Sequence, residues 1–204
     1  MSDPWPSLAE RYGRKAVMSL TITDAELDAE TDRQSKVLFP LVEKRTHGLE
    51  LTALDFGCGA GRFTRPLNRL LRGTNPLTVG YDPCRELVEQ APIALGITWE
   101  SGSPEHFFFT QKERFDIAFA AMVLCLPGVD PDYTAEGLAR VLSPNGLMIL
   151  VDHMADRQPN GKWVSFRSEV YYQDLFARYN IRLQKIGEDR QLDNKITVMA
   201  GRKL

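Results

Sequence analysis

One stretch constrains this chain more than any other: Leu54-Asp55-Phe56-Gly57-Cys58-Gly59-Ala60-Gly61-Arg62. Ahead of it, Leu51 to Phe56 is apolar enough for a buried strand, and beyond it Phe63, Leu67, Leu70 and Leu71 recur at helical spacing. Glycine is needed where the backbone takes positive φ or lies against another group with no room for a Cβ. Three glycines at every second position, between a strand and a helix, point to a ligand held against main chain at a helix N-terminus. A tight strand-to-helix turn that needs glycine for steric reasons alone is the competing explanation.

A nicotinamide-type fingerprint reads Gly-x-Gly-x-x-Gly, which puts glycine where this chain has Arg62. The next strand, Leu77 to Tyr81, ends at Asp82-Pro83, with Pro83 suited to the first turn of the following helix. Asp82 lies about 20 residues past Gly61, where doubly wound folds place the acid that accepts hydrogen bonds from ribose hydroxyls. An aspartate capping a helix is the structural alternative. Taken together, the glycine turn and the acid favour a bound nucleoside.

The remaining pattern alternates strands with helix-length segments. Ile97 to Trp99 is a short third strand, followed by the polar turn Glu100 to Glu105, and Phe115 to Ala121 is a nearly all-apolar fourth. A helix ends at Leu138 to Leu142, and Ser143-Pro144-Asn145-Gly146 turns it into a fifth strand, Leu147 to Val151. Such alternation implies a parallel sheet with right-handed crossovers. Ser168 to Tyr179 has helical spacing, then Ile181 to Ile186 and Lys195 to Ala200 read as two strands joined by a short polar turn, hence antiparallel neighbours. Upstream, Asp24 to about Glu43 reads as a helix interrupted or opened by Pro40 and stopped at His47-Gly48. The whole of residues 1–48 is expected to be a helical segment packed on the domain formed by residues 49–204, with Trp5, Tyr12 and Lys15 placed either in core packing or as a lid.

The order of these features resembles the class I S-adenosylmethionine-dependent methyltransferases over nearly the whole length from Asp24. Leu-Asp-Phe-Gly-Cys-Gly-Ala-Gly is similar to their first motif, Gly80-Tyr81-Asp82 to their second, Phe115 to Leu124 to their fourth, and Leu138 to Gly146 to the turn before their fifth strand. The resemblance implies a doubly wound α/β fold. Its seven-stranded, mostly parallel sheet would have the order 3-2-1-4-5-7-6, with strand 7 antiparallel and helices on both faces. It also implies S-adenosylmethionine as cofactor, with the methionine end against Gly57, Gly59 and Gly61, Asp55 near its ammonium group, and Asp82, followed by Pro83, on the ribose. The family commonly has an aspartate after strand three for the adenine, whereas this chain offers Ser103 and Pro104, with Glu105 as a substitute. Ala120 and Ala121 would flank the cofactor where the methyl group leaves.

Missing residues narrow the acceptor. Amino-group methylation of nucleobases resembles Asn/Asp-Pro-Pro-Tyr/Phe after strand four, where this chain has Ala120-Ala121-Met122-Val123. Cytosine C5 methylation needs Pro-Cys in that loop, and Pro83-Cys84 follows strand two instead. With 25 basic and 27 acidic residues, no general attraction to nucleic acid or anionic membrane is expected. Arg62, Arg65, Arg69 and Arg72 recur along one predicted helix; a local basic patch is one reading, solvated helix charge the other. Acceptor residues belong at the carboxyl ends of strands. There His153 is either a general base or a surface histidine, and Arg167, Tyr171 and Tyr172 are either substrate contacts or helix packing, as is Tyr12. His106 is expected in solvent.

These residues predict methyl transfer to an oxygen or nitrogen of a small metabolite. RNA or protein methylation, a non-catalytic partner subunit and a nicotinamide-binding protein are the alternatives. Cys58, Cys84 and Cys125 lack ligand-like spacing, so no metal is expected and the thiols read as reduced. The start lacks the basic and apolar regions of a signal peptide, and Ile117 to Pro127 is too short to span a bilayer, so a cytoplasmic protein is expected.

Overall fold

The computed structural model describes residues 4–46, 50–111, 114–156, 163–192 and 194–204. The expected stop at His47-Gly48 lies outside them. At the N-terminus, α1 (Trp5–Tyr12) runs into a 3-10 helix over Gly13–Val17. Next, α2 (Asp24–Glu43) opens with a reciprocal cap in which Thr23 Oγ1 accepts from Glu26 N and Glu26 accepts from Thr23 N. The helix continues through Pro40 rather than starting or breaking there.

Seven strands follow with their crossovers: β1 (Glu50–Phe56), α3 (Thr64–Leu70), β2 (Arg72–Asp82), α4 (Arg85–Val88), β3 (Ile97–Ser101), α5 (Pro104–Thr110), β4 (Phe115–Ala121), α6 (Pro131–Val141), β5 (Leu142–Asp152), α7 (Glu169–Ala177), β6 (Gln184–Gln191) and β7 (Asn194–Arg202). They form one 7-stranded sheet in the order β3-β2-β1-β4-β5-β7-β6. β1 to β5 pair in parallel, and β7 is antiparallel to both β5 and β6. This is the expected architecture.

Both faces of the sheet are covered. Ile117 and Phe119 of β4 face Leu38, Phe39 and Val42 of α2 and Phe63 and Leu67 around α3. Ala118 and Ala120, pointing the other way, join Phe107, Phe108, Leu138, Tyr172 and Phe176 from α5 to α7. Period-2 alternation divides one strand between two cores, which is why its sequence is apolar throughout.

Four local expectations are corrected. Ser143–Gly146 is not a separate turn: β5 starts at Leu142, and the excess residues form an irregularity between the pairs Phe115↔Leu142 and Ile117↔Leu147, with Asn145 at φ 62. Arg72 belongs to β2, not to the arginine-bearing helix. Pro83 precedes the helix, because the Cys84 N–H is bonded by Asp82 and Cys84 becomes the N-cap. The strand read at Ile181 to Ile186 lies further on, over Gln184–Gln191. As an edge strand it tolerates charge, and its Asp189 pairs with Arg33 of α2 at 2.8 Å while the Arg190 carbonyl accepts from Gln34.

Candidate active site

The carboxyl ends of β1 and β2 carry the glycine turn and Asp82. Gly57, Gly59 and Gly61 have φ of +72, +55 and +80, so all three occupy the left-handed region that excludes most side chains. The space before them is narrow as well. A Cβ on Gly57 would lie 2.3 Å from Val123 Cγ2, on Gly59 2.7 Å from Val17 Cγ1, and on Gly61 2.4 Å from Trp99 Cη2. Three side chains that the sequence did not single out therefore shape the turn: Val17 from the 3-10 helix, Trp99 from β3 and Val123 from the segment after β4.

Asp82 ties the turn to the next helix. Its Oδ2 accepts from Gly59 N at 2.8 Å and its Oδ1 from Cys84 N at 2.9 Å. Each carboxylate oxygen has two lone pairs, so these bonds leave acceptor capacity for hydroxyls. Asp55, next along the same edge, is buried and accepts from Thr64 Oγ1 at 2.6 Å. Burial pushes its carboxyl up to about 7, with the nearby charge of Asp82 adding to the shift. Among the described residues no salt bridge reaches Asp55. Two buried acids side by side suit a cationic ligand: an ammonium or sulfonium would offset the burial, and the lesser repulsion from Asp82, that now favour a proton on Asp55. S-adenosylmethionine carries both cations and a ribose diol, and these residues fit it.

The other expected cofactor residues lie on neighbouring elements, at the start of α5 and the end of β4. Ser103 is the N-cap of α5, its Oγ accepting from His106 N at 3.3 Å, and Pro104 opens that helix. His106 is exposed, as expected. Ala120 pairs with Phe56 and Leu150, which sets it and Ala121 at the end of β4 beside the glycine turn. The N-terminal segment covers the β2 side, where Trp5, Ala9 and Val17 pack with Cys84 and Leu87. Tyr12 ends α1, half-buried, with the Arg11 guanidinium 5.2 Å from its ring centre.

A second group gathers at the end of β5. Asp152 is buried, and accepts from His153 N at 2.9 Å and from Tyr172 Oη at 3.2 Å, with the Cys125 thiol against it. Burial pushes its carboxyl up to about 6. His153 is itself 6% exposed, so it is not a surface residue. Its Nδ1 lies 3.1 Å from the Lys195 carbonyl, which can only accept, so Nδ1 carries the hydrogen and Nε2 keeps a lone pair. Burial holds the ring pKa below the usual value.

Arg167 precedes α7 rather than lying in it, and its Nη1 donates to the Leu124 carbonyl at 2.8 Å and to that of Ser165 at 3.3 Å. Tyr171 stays exposed beside it, 5.6 Å from the guanidinium carbon to the ring centre, whereas Tyr172 is wholly buried. The two rings meet edge to face, centroids 5.4 Å apart, yet only Tyr172 is covered, a split that helical spacing predicts only when the covered face is known. Among the described residues, no cluster of three or more His, Cys, Asp or Glu is placed to hold a metal, and no helix is long and apolar enough to cross a membrane.

A family model described as a methyltransferase domain matches residues 24–192. The ubiquinone biosynthesis O-methyltransferase of Bradyrhizobium diazoefficiens is 32% identical over 134 residues, 63% of this chain and 48% of that protein, so the chain spans about half of that relative's length. Among solved structures, the fold is similar to magnesium protoporphyrin IX methyltransferase from Synechocystis with bound S-adenosylhomocysteine. That match has a TM-score of 0.71 and 13% identity over 99% of this chain and 97% of the other. It is also similar to a possible histamine N-methyltransferase from Thermotoga maritima, with a TM-score of 0.65 and 17% identity over 98% and 99%.

Proposed function

This chain belongs to the methyltransferase-domain family, with S-adenosylmethionine as its cofactor, and from that premise we propose that it methylates an oxygen or nitrogen of a small metabolite. The observation that carries the reading is the Asp82 carboxylate fixed between the Gly59 and Cys84 N–H groups at the end of a turn with three left-handed glycines. When bound, the cofactor supplies an activated methyl group on a sulfonium. The protein then has three tasks: to hold that group in line with the acceptor, to keep water out, and to take up a proton where the acceptor loses one.

Asp55 would face the cofactor's ammonium, and Asp82 its ribose hydroxyls. Pro83, Ser103 and Pro104 would line the nucleoside side, and Ala120 and Ala121 the side where the methyl group departs. The N-terminal segment would act as a lid, with Val17 on the glycine turn and Tyr12 toward the acceptor. Arg167 and Tyr171 would contact the acceptor from the β5 side. His153, neutral at pH 7 with Nε2 unprotonated, has the form a general base requires.

A small acceptor is favoured over nucleic acid by Ala120-Ala121-Met122-Val123 at the end of β4, where Val123 packs on Gly57 in place of a base-holding motif. An oxygen acceptor is supported by the relative named as an O-methyltransferase. Three buried free thiols support the cytoplasm as its location. The test uses His153→Ala with a panel of phenols, carboxylates and amines and labelled cofactor. We expect turnover of the preferred acceptor to fall about a hundredfold with unchanged S-adenosylhomocysteine affinity. Full turnover would remove His153 from the reaction, and labelling of RNA in preference to every metabolite would overturn the acceptor class.

A further inference from the structure

The arginines before and on α3 are not all solvated charge. A cavity of about 200 Å³ lies on the outer side of that helix, between the 3-10 helix, α2 and α3. Arg14, Arg62, Arg65 and Arg69 line it, with Asp28 and Asp32 as the opposing charges. Arg14 neutralises Asp28 through two bonds of 2.7 Å each. Of the acids lining it, Asp32 alone is left for Arg62, Arg65 and Arg69, with Glu30 and Asp55 also near Arg62, in a protein whose net charge is −2.

Arg62 forms the floor. Its Nε donates to Thr31 Oγ1 at 3.1 Å, the Thr31 hydroxyl in turn donates to the Leu27 carbonyl, and the guanidinium stacks 4.3 Å above the Phe63 ring. Its Nη2 is buried with no hydrogen-bond partner. A buried, unpaired guanidinium N–H costs free energy, which favours a turn of the side chain toward an acceptor in the cleft. Burial accordingly pulls the Arg62 pKa down to about 10. Arg65 and Arg69 are exposed at the rim, one helical turn apart, and no acid of the protein forms a salt bridge with either among the described residues.

We propose that this cleft is a binding site for a compact phosphate group, with Arg62 as floor and Arg65 and Arg69 as rim, on the α3 side of the glycine turn and sharing Gly61 with the proposed cofactor site. The chemistry follows from the donors: planar guanidinium forks match the oxygens of a phosphate, and charge-assisted bonds of this kind are the strong ones. The phosphate comes free or as part of a small ester. Because Gly61 also lines the cleft and precedes Arg62, an occupant there would stiffen the glycine turn from behind.

The test is calorimetric titration of the full chain with inorganic phosphate and with glycerol phosphate at moderate salt, with and without saturating S-adenosylhomocysteine. The expected result is a 1:1 isotherm for at least one of them, retained when S-adenosylhomocysteine is present, and about tenfold or more weaker in Arg62→Gln. The tighter of the two probes tells whether the group is taken free or esterified. Arg62 also packs on Phe63, so Arg65→Gln/Arg69→Gln, which removes only exposed side chains, is measured in parallel and is expected to weaken binding severalfold. Absence of saturable binding by either probe, isotherms unchanged in both variants, or loss of phosphate binding when S-adenosylhomocysteine is added would overturn the site. S-adenosylhomocysteine affinity, read in the same samples, stands or falls independently and reports on the methyl-transfer crevice alone.

Discussion

Two parts of the sheet's carboxyl edge bury acids, and they hold them by different means. At the ends of β1 and β2, Asp82 is gripped by the backbone N–H groups of Gly59 and Cys84, and the turn around it is bare main chain in the left-handed region. At the end of β5, Asp152 is held by the neighbouring His153 N–H and, in addition, by two side chains, the Tyr172 hydroxyl and the Cys125 thiol, each delivered from a distant segment. A backbone-built site demands specific residue types at fixed spacing and so leaves a mark in the sequence. A site built by side-chain packing leaves none until the chain is folded.

The comparison breaks most sharply at Gly57. Gly57→Ala combines strain at positive φ with a clash on Val123, and should destabilise the protein by about 2–5 kcal/mol in denaturant unfolding. If packing is part of the demand, Val123→Ala in that background returns some of the loss, whereas a purely conformational demand returns none.

On the β5 side, Tyr172→Phe leaves buried Asp152 with one hydrogen bond fewer and should cost about 1–3 kcal/mol of stability. Affinity for S-adenosylhomocysteine should not change. A large fall in that affinity would show that the two regions are one site.

Asp55 sharpens the contrast through pH. Its ordinary value is 3.8 and its folded value about 7, so between these the folded state holds a proton that the unfolded state releases. Stability from this group therefore falls as pH rises through that window and levels off above about 7. Asp55→Asn should be about 1–3 kcal/mol more stable than the parent at pH 8, the gap closing toward pH 4. Parallel stability profiles for the two proteins would contradict the assignment of a proton to Asp55.

Strand order was legible because strands alternate with helix-length segments, and the terminal pair could only be antiparallel. Element ends were less so: Asn145 was read as a turn residue and sits in an irregularity within β5, while Glu188 to Arg190 looked like a turn and form an edge strand fastened to α2. At the site, the glycines and Asp82 were visible through spacing. Val17, Trp99 and Val123 were not, since an apolar side chain against a glycine looks like any other core residue. Nor was the division between Tyr171 and Tyr172, which depends on Asp152 waiting beneath α7. Spacing shows the basic stripe at Arg62, Arg65 and Arg69 but not its setting, because nothing in a sequence tells that the Arg62 Nη2 is enclosed.

Calorimetric titration with S-adenosylhomocysteine, comparing the parent with a folded Asp82→Ala variant, tests the central claim most directly. The account predicts a 1:1 complex for the parent and a loss of about 1–3 kcal/mol, roughly fivefold to 150-fold in affinity, for the variant. No binding by the parent, or equal binding by both, would contradict it.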